Sequence, residues 1–397
     1  MLHTLRPCYG ASEHLKFADV RIMRQSLLDH LVVDRMQRML LHHWLHRSQT
    51  RRRIVWPMSL ANGHQSGLSN QIMSLVGYCV LANLTHSALV VPFWDSHAAG
   101  GSSNKLRFDA LFDEQHFLAA MARHLPFGII GSDEAARLPA ESNRTHTTRR
   151  SYIGWAVYKA IHTRLWLKRT NDSGVQAADT AFLRDMELNV YKSIRASANV
   201  RAMARSALHN AMPRAGAAGR RGRYGCIHAR IETDMQSSWK ANNAGQPPTL
   251  ARYLGDASAT TVKHMKASSL ASFAEVRATR HVFVSVGRDI APTDAARLAA
   301  GATTGWGAHI VRTSATTKAS HNYTTVSTSS SYTMDALVDM EICRGAAWFA
   351  GWPGSTFTRL LGAFRGDDNY FVVCPRSIAR FDARNGAFVG HHEFCVL

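Results

Sequence analysis

The chain alternates between short apolar runs and longer segments of helical periodicity, in the manner of an α/β protein. Arg53-Ile-Val-Trp-Pro57 reads as a first strand. Gly63 to Gln71 follows as a glycine-punctuated loop, then Ile72 to Leu84 with apolar positions at helical spacing, then Ser87 to Pro92 as a second strand. Strand, loop, helix and strand in that order make a βαβ unit. Phe108 to Phe117 predicts a short helix and Phe127 to Gly131 another strand, whereas Ser132 to about Val175 is polar and irregular. Residues 176–212 read as helical and end before Pro213. Pro213 to Arg223, rich in Gly, Ala and Arg, reads as a linker. Strands are then expected over 224–231, 281–286 and 308–312, with a helix from about Thr261 to Thr279. The Ser/Thr-rich 313–331 predicts a loop, Thr333 to Arg344 a helix and Ala346 to Ala350 a strand. Ser355 to Leu361 predicts a helix, and Tyr370 to Cys374 a strand closing the sheet. No internal repeat of fixed period is visible.

With 397 residues the chain is long enough for two domains of ordinary size. The expected division is 1–50 as a basic, helix-prone arm, 51–212 as one Rossmann-like unit and 213–397 as a second. Leu27 to Leu45 is apolar but interrupted by Asp29, Asp34, Arg35 and Arg38, so it is not expected to span a membrane. Met1 to Tyr9 has no apolar core, so no signal peptide is expected there.

The formal charge of +19 changes the picture, because it favours acidic partners: nucleotides, nucleic acid, anionic glycans or membrane surfaces. The clusters Arg51–Arg53 and Arg220, Arg221, Arg223 lack interleaved aromatics and fit solvated loops, so nucleic acid is not an expected partner. Six cysteines stand apart without metal-ligand spacing, compatible with free thiols or with up to three disulfides. Sequons at Asn83, Asn143, Asn171 and Asn322 favour a secretory location, the lumen of the endoplasmic reticulum or Golgi.

The candidate chemistry gathers at Tyr224-Gly-Cys-Ile-His-Ala-Arg-Ile-Glu-Thr-Asp234. His228 and Arg230 are two apart, which on a continuing strand places them on one face. Arg presents a planar cationic fork suited to phosphate oxygens, and open α/β sheets bind ligands at the carboxyl ends of their strands. An Arg in a structural ion pair beside a core His is the bland alternative. Gly354-Ser355-Thr356 opens a predicted helix, where backbone N–H groups and hydroxyls suit an anion, although simple capping explains the same residues. Asn70 and Gln71 form a third polar group beyond a strand. Two α/β halves presenting such groups to one another would form a nucleotide cleft.

These residues resemble the GDP-fucose protein O-fucosyltransferase family. Gly67-Leu-Ser-Asn-Gln71 through Val90-Val-Pro-Phe-Trp94 resembles its first motif, and His228-Ala-Arg230 with Asp234 its His-x-Arg-x-x-x-Asp segment. Asp339 to Thr358 resembles its last motif, with Phe349, Gly351 and Ser355-Thr-Phe-Thr358, and Phe108 to Phe117 resembles a further segment. The resemblance implies a GT-B fold, two Rossmann-like domains facing across the donor, with GDP-fucose as donor substrate and no metal or other cofactor. It assigns Arg230 to the β-phosphate and glycosidic oxygen as the catalytic group. Asn70, His228, Asp234, Ser355, Thr356 and Phe357 become donor-binding residues. It further implies inverting transfer to a Ser or Thr hydroxyl of a protein acceptor. This chain departs from the family pattern in Ser285-Val-Gly287, where some members have Ala-Thr-Asp, and in Ala347, where some have an acid. The first loop carries only His64 and Gln65 as polar groups between Gly63 and Ser66, so the Glu base of one branch is missing there. Glu232 is the remaining candidate base, provided the strand reaches it. The alternatives are a GT-B transferase with another nucleotide sugar or a glycan acceptor, and a non-catalytic glycan- or nucleotide-binding relative.

Overall fold

The computed structural model describes residues 53–55, 57, 67–84, 86–96, 104–137, 154, 157–158, 177–212, 224–231, 250, 279–287, 290–300, 308–311, 331–351, 355–365, 370–373, 378–382 and 387–389. The expected arm 1–50, the linker 213–223, the helix 261–278, the loop 313–330 and Asp234, Glu232, His64 and Gln65 lie outside them.

The N-terminal half is built on a three-stranded sheet of order β1-β2-β5 (Arg53–Val55, Ser87–Val90 and Ile129–Ile130). Both pairings are parallel, Ile54 facing Ala88 and Leu89 facing Ile129. Helix α1 (Leu68–Leu84) makes the crossover between β1 and β2 and is buried along nearly its whole length. A helix this apolar on all sides needs packing all round, and its partners come from both halves of the chain. Beyond β2, the small antiparallel pair β3 (Trp94–Ser96) and β4 (Asn104–Leu106) leads into α2 (Phe108–Leu111) and α3 (Glu114–Met121). The single helix expected over 108–117 is therefore two. Asp113 divides them, its carboxylate accepting from the backbone N–H of His116 as the cap of α3. Trp94, Phe108, Phe112 and Phe117 stack in series beneath this turn. The helical run 176–212 is likewise broken into α5 (Ala177–Ser193) and α6 (Ala198–Ala211), with Ser197 capping the second, and Ser132–Ala135 forms the short α4 between β5 and these helices.

The C-terminal half is a seven-stranded sheet of order β12-β11-β10-β9-β6-β7-β8. Its strands are β6 (Tyr224–His228), β7 (His281–Ser285), β8 (His309–Val311), β9 (Phe349–Gly351), β10 (Tyr370–Val373), β11 (Ile378–Asp382) and β12 (Ala387–Val389). The five strands from β8 to β10 are parallel. β10 does not close the sheet as expected, since β11 and β12 extend that edge antiparallel. An unanticipated helix, α7 (Pro292–Ala299), lies between β7 and β8 and starts on a proline at its first positions, where the missing N–H costs nothing. Helices α8 (Ser331–Arg344) and α9 (Thr356–Arg365) flank β9. β9 begins three residues later than expected, because the chain first closes the end of α8: Gly345 N bonds Glu341 O and Ile342 O, and Ala346 N bonds Cys343 O.

Alternation along β6 and β7 distributes side chains between two cores. Tyr224, Cys226 and Phe283 join the larger one, shared with α1, α5, α6, α8 and α9. Ile227, Val282 and Val284 join the smaller one on the opposite face, with Trp348 and Leu298. Both faces of the parallel sheet are thus covered, as parallel sheets require. The expected α/β class with Rossmann-like parallel sheets is what the chain forms. Among the described residues no helix is long and apolar enough to cross a membrane.

Candidate donor site at the switch point of the C-terminal sheet

The order of the parallel strands locates the site before any side chain is considered. From β6 the chain proceeds to β7 and β8 on one side, then returns to β9 and β10 on the other. The direction of winding reverses between β6 and β9, and the connections that leave these two strands diverge there. Such a divergence opens a crevice outside the carboxyl ends of the strands. His228 ends β6 and Gly351 ends β9, and the two are paired in register.

His228 is buried, and its Nδ1 lies 2.8 Å from Thr358 Oγ1 on α9. Its ring packs against Phe357 with centroids 4.5 Å apart. Burial, reinforced by the charge of Arg230, pushes the imidazole down to about 3, so the ring is neutral at physiological pH. Thr358 can come this close because residue 351 is glycine: a Cβ there would stand 2.5 Å from Thr358 Oγ1 and 2.8 Å from its Cγ2.

Arg230 is not on the strand, contrary to expectation. β6 ends at His228; Ala229 N makes a last bond to Ser285 O, and Ile231 N then folds back onto Ala229 O. That bond closes a three-residue turn with Arg230 at its apex. The half-buried guanidinium is therefore aimed by the turn, close enough to His228 to depress its proton affinity. The strand does not reach Glu232, so the condition for placing that carboxylate on one face with Arg230 is not met.

On the other wall, the carbonyl of Ser355 accepts from Arg359 N and caps α9, leaving Thr356 and Phe357 in its first turn. Ser355 and Thr358 are buried and Thr356 and Phe357 half-buried. The structure thus brings together His228, Arg230, Ser355, Thr356 and Phe357. Thr358 is the supporting residue that sequence reasoning overlooked; its position one helical turn from Ser355 was the available signal.

Asn70 and Gln71 lie in the first turn of α1, which starts at Leu68, four residues earlier than expected. They have different roles. Gln71 is fully buried and makes a reciprocal pair with the backbone of Asp95, Nε2 donating to its O and Oε1 accepting from its N, both at 2.9 Å. It is a structural clamp and not an anion ligand. The enclosed Asn70 Oδ1 has no hydrogen-bond partner among the described residues. α1 packs on α9, the helix that carries Phe357.

The helices behind the site are tied in turn. Ser285 Oγ donates to buried Asp339 on α8 at 3.0 Å. Tyr158 and Tyr191 both donate to Glu187, with Tyr191 set edge-on to Phe364 of α9. Burial, with the charge of Glu187, keeps both phenols protonated.

Residues 60–366 match the family model described as GDP-fucose protein O-fucosyltransferase, well over half of the chain and all of the site just described. The chain belongs to that family. As an O-fucosyltransferase family member it is a GDP-fucose-dependent glycosyltransferase. Among solved structures it is similar to POFUT1 in complex with GDP, at 12% identity over 79% of this chain and 94% of that one, with a TM-score of 0.46. It is also similar to NodZ alpha-1,6-fucosyltransferase co-crystallized with GDP (14% identity, 84% and 99% coverage, TM-score 0.43). A mutant of Arabidopsis thaliana FUT1 in complex with GDP is a third (15% identity, 91% and 80% coverage, TM-score 0.40). No curated protein matches the chain.

Proposed function

We propose that this O-fucosyltransferase family member transfers fucose from GDP-fucose to a Ser or Thr hydroxyl of a protein acceptor, with inversion and without a metal. The donor would lie in the crevice between β6 and β9, in a GT-B arrangement with 213–397 as the donor unit and 51–212 as the acceptor side. The observation that carries the reading is the convergence of His228, Arg230 and the start of α9 on one switch point.

Arg230 would hold the β-phosphate and the glycosidic oxygen. As the bond from C1 of fucose to that oxygen lengthens, negative charge grows on the leaving diphosphate, and a fixed guanidinium stabilises it more than the ground state. Neutral His228 would bind through the nitrogen not engaged by Thr358, adding orientation without competing with Arg230 for the anion. Ser355 and Thr356 would bring hydroxyls and the α9 N-terminus to the phosphates, with Phe357 against the nucleoside. Asn70 and Asp234 complete the proposed donor contacts. The acceptor oxygen bonds C1 from the face opposite the diphosphate as the bond from C1 to the diphosphate breaks and the hydroxyl proton passes to water, and an oxocarbenium-like transition state lessens the demand for a strong base. A luminal location is supported by the buried disulfide Cys226–Cys343, since such bonds persist in oxidising compartments.

Calorimetry with GDP, UDP and ADP, on wild type and Arg230→Ala, tests the reading. GDP-selective binding that weakens without Arg230 is expected, with transfer from GDP-fucose falling by about 10²–10³-fold and indifferent to EDTA. An Arg230→Ala protein with undiminished transfer rules out the proposed mechanism.

A further inference from the structure

One face of β6 is fastened three times to the helices beneath the site. Tyr224 OH donates to Ile342 O at 2.7 Å, near the carboxyl end of α8. Cys226 forms a disulfide with Cys343 on the same helix. His228 meets Thr358 on α9. Alternate residues of a strand share a face, so all three act on the same side of a single short element.

The middle fastening differs from the other two in what it joins. Cys226 is two residues before His228, and its backbone N also bonds Trp348 O, just ahead of β9. Cys343 precedes the turn that delivers the chain into β9, and Ala347 N in that turn bonds Tyr224 O. The disulfide and the bond from Cys226 N to Trp348 O therefore close a small ring, part covalent and part hydrogen-bonded, through β6, the end of α8 and the approach to β9. Those two strands are the walls of the crevice. Both cysteines are fully buried, with 0% exposure, so the bond is set at folding and sheltered from solvent reductants.

We propose that Cys226 and Cys343 are positioning residues for the donor site: their bond fixes the separation and register of the β6 and β9 ends, and so the spacing of Arg230 from the start of α9. The inference rests on the donor reading above. It predicts that losing the bond harms GDP binding by more than the accompanying loss of stability explains. A simple structural disulfide would lower the melting temperature and leave the affinity of the folded protein alone.

The test uses the full chain. Cys343→Ala, which leaves the Cys226 thiol filling the core, and the double variant Cys226→Ala/Cys343→Ala are compared with Phe117→Leu, a core change in α3 away from the crevice. Melting temperature and the GDP dissociation constant are measured for each at a temperature where all are folded. The cysteine variants are expected to bind GDP about tenfold more weakly or worse, since charge-assisted hydrogen bonds to phosphate weaken steeply when misaligned. Phe117→Leu is expected to lower the melting temperature and keep wild-type affinity. If neither cysteine variant folds, Tyr224→Phe, which removes the neighbouring fastening of the same strand, carries the same expectation at smaller size. Wild-type GDP affinity in the folded cysteine variants, or in Tyr224→Phe where those do not fold, overturns the proposal. Arg230→Ala runs alongside: if it too binds GDP as wild type does, the donor reading itself has failed, whereas a weakened Arg230→Ala beside unaffected cysteine variants refutes the positioning role alone.

Discussion

Two glycines decide how closely the site can be assembled. At Gly351 a methyl group would stand 2.5 Å from Thr358 Oγ1, the atom that holds His228. Gly351→Ala should push Thr358 off the imidazole, cost about 1–3 kcal/mol as an overpacked core change and weaken GDP binding with it. Thermal unfolding and calorimetry on the same sample check both effects. Gly225 is the contrasting case on the other face of the strand. A Cβ there would run into the Trp348 ring, and that ring is buried with its Nε1 bonded to Thr279 Oγ1 at 2.9 Å. Gly225→Ala is therefore expected to destabilise by a similar about 1–3 kcal/mol or more, read as a lower denaturation midpoint. Asn83 belongs at this scale too. Its half-buried amide nitrogen donates to His124 O at 3.0 Å, so a glycan on this sequon would have to share that nitrogen with a packing bond. Mass spectrometry of protein made in a glycosylating host should find Asn83 unmodified.

Elements were legible from the sequence where periodicity ran long, and less so where a few hydrogen bonds decide the ending. The alternation of strands and helices, the α1 crossover and the strands at 224, 281 and 308 follow from apolar patterning. The register of His228 to Arg230 did not, because strand propensity cannot show that Ile231 N bonds Ala229 O and turns the chain after His228. The role of Gln71 was likewise hidden, since its partner is a backbone 24 residues away that only the fold brings near. The disulfide was one of several allowed pairings until β6 and α8 were seen side by side. Gln71 offers the test of an element boundary. Gln71→Ala would take from Asp95 N its buried side-chain acceptor, at about 1–3 kcal/mol, while Asp95 O keeps the longer bond from Thr333 Oγ1 at 3.4 Å. The change should loosen β3 against α1, detectable as faster hydrogen exchange over Trp94–Ser96, with the larger part of the loss in stability and the smaller in GDP affinity.

At the scale of the whole molecule, helices join the three-stranded and the seven-stranded sheets among the described residues, and this makes the site's protonation a matter of global stability. α8 packs on α6 and α1, and α9 on α1 and α5, so the residues behind His228 belong to the same core that stabilises the N-terminal sheet. Protonating His228 in place would bury a charge beside Arg230 in that core. The native state therefore resists the proton down to about pH 3, while the unfolded chain accepts it near 6.5. Between these values the unfolded state binds more protons, so stability rises with pH and levels off above about 6.5. As pH falls below that point, the group withdraws about 1.4 kcal/mol per unit. His124 and His281, also held down by burial, act in the same direction. Urea unfolding at pH 7.5 and 5.5 should show this loss in wild type. In His228→Asn, which cannot titrate, the loss between the two pH values should shrink by about 1.4 kcal/mol at most, even if the variant is less stable at both. An unchanged pH dependence in His228→Asn would mean that native His228 takes up its proton as readily as the unfolded chain does, near 6.5, and the picture of a neutral His228 beside Arg230 at the diphosphate would fail.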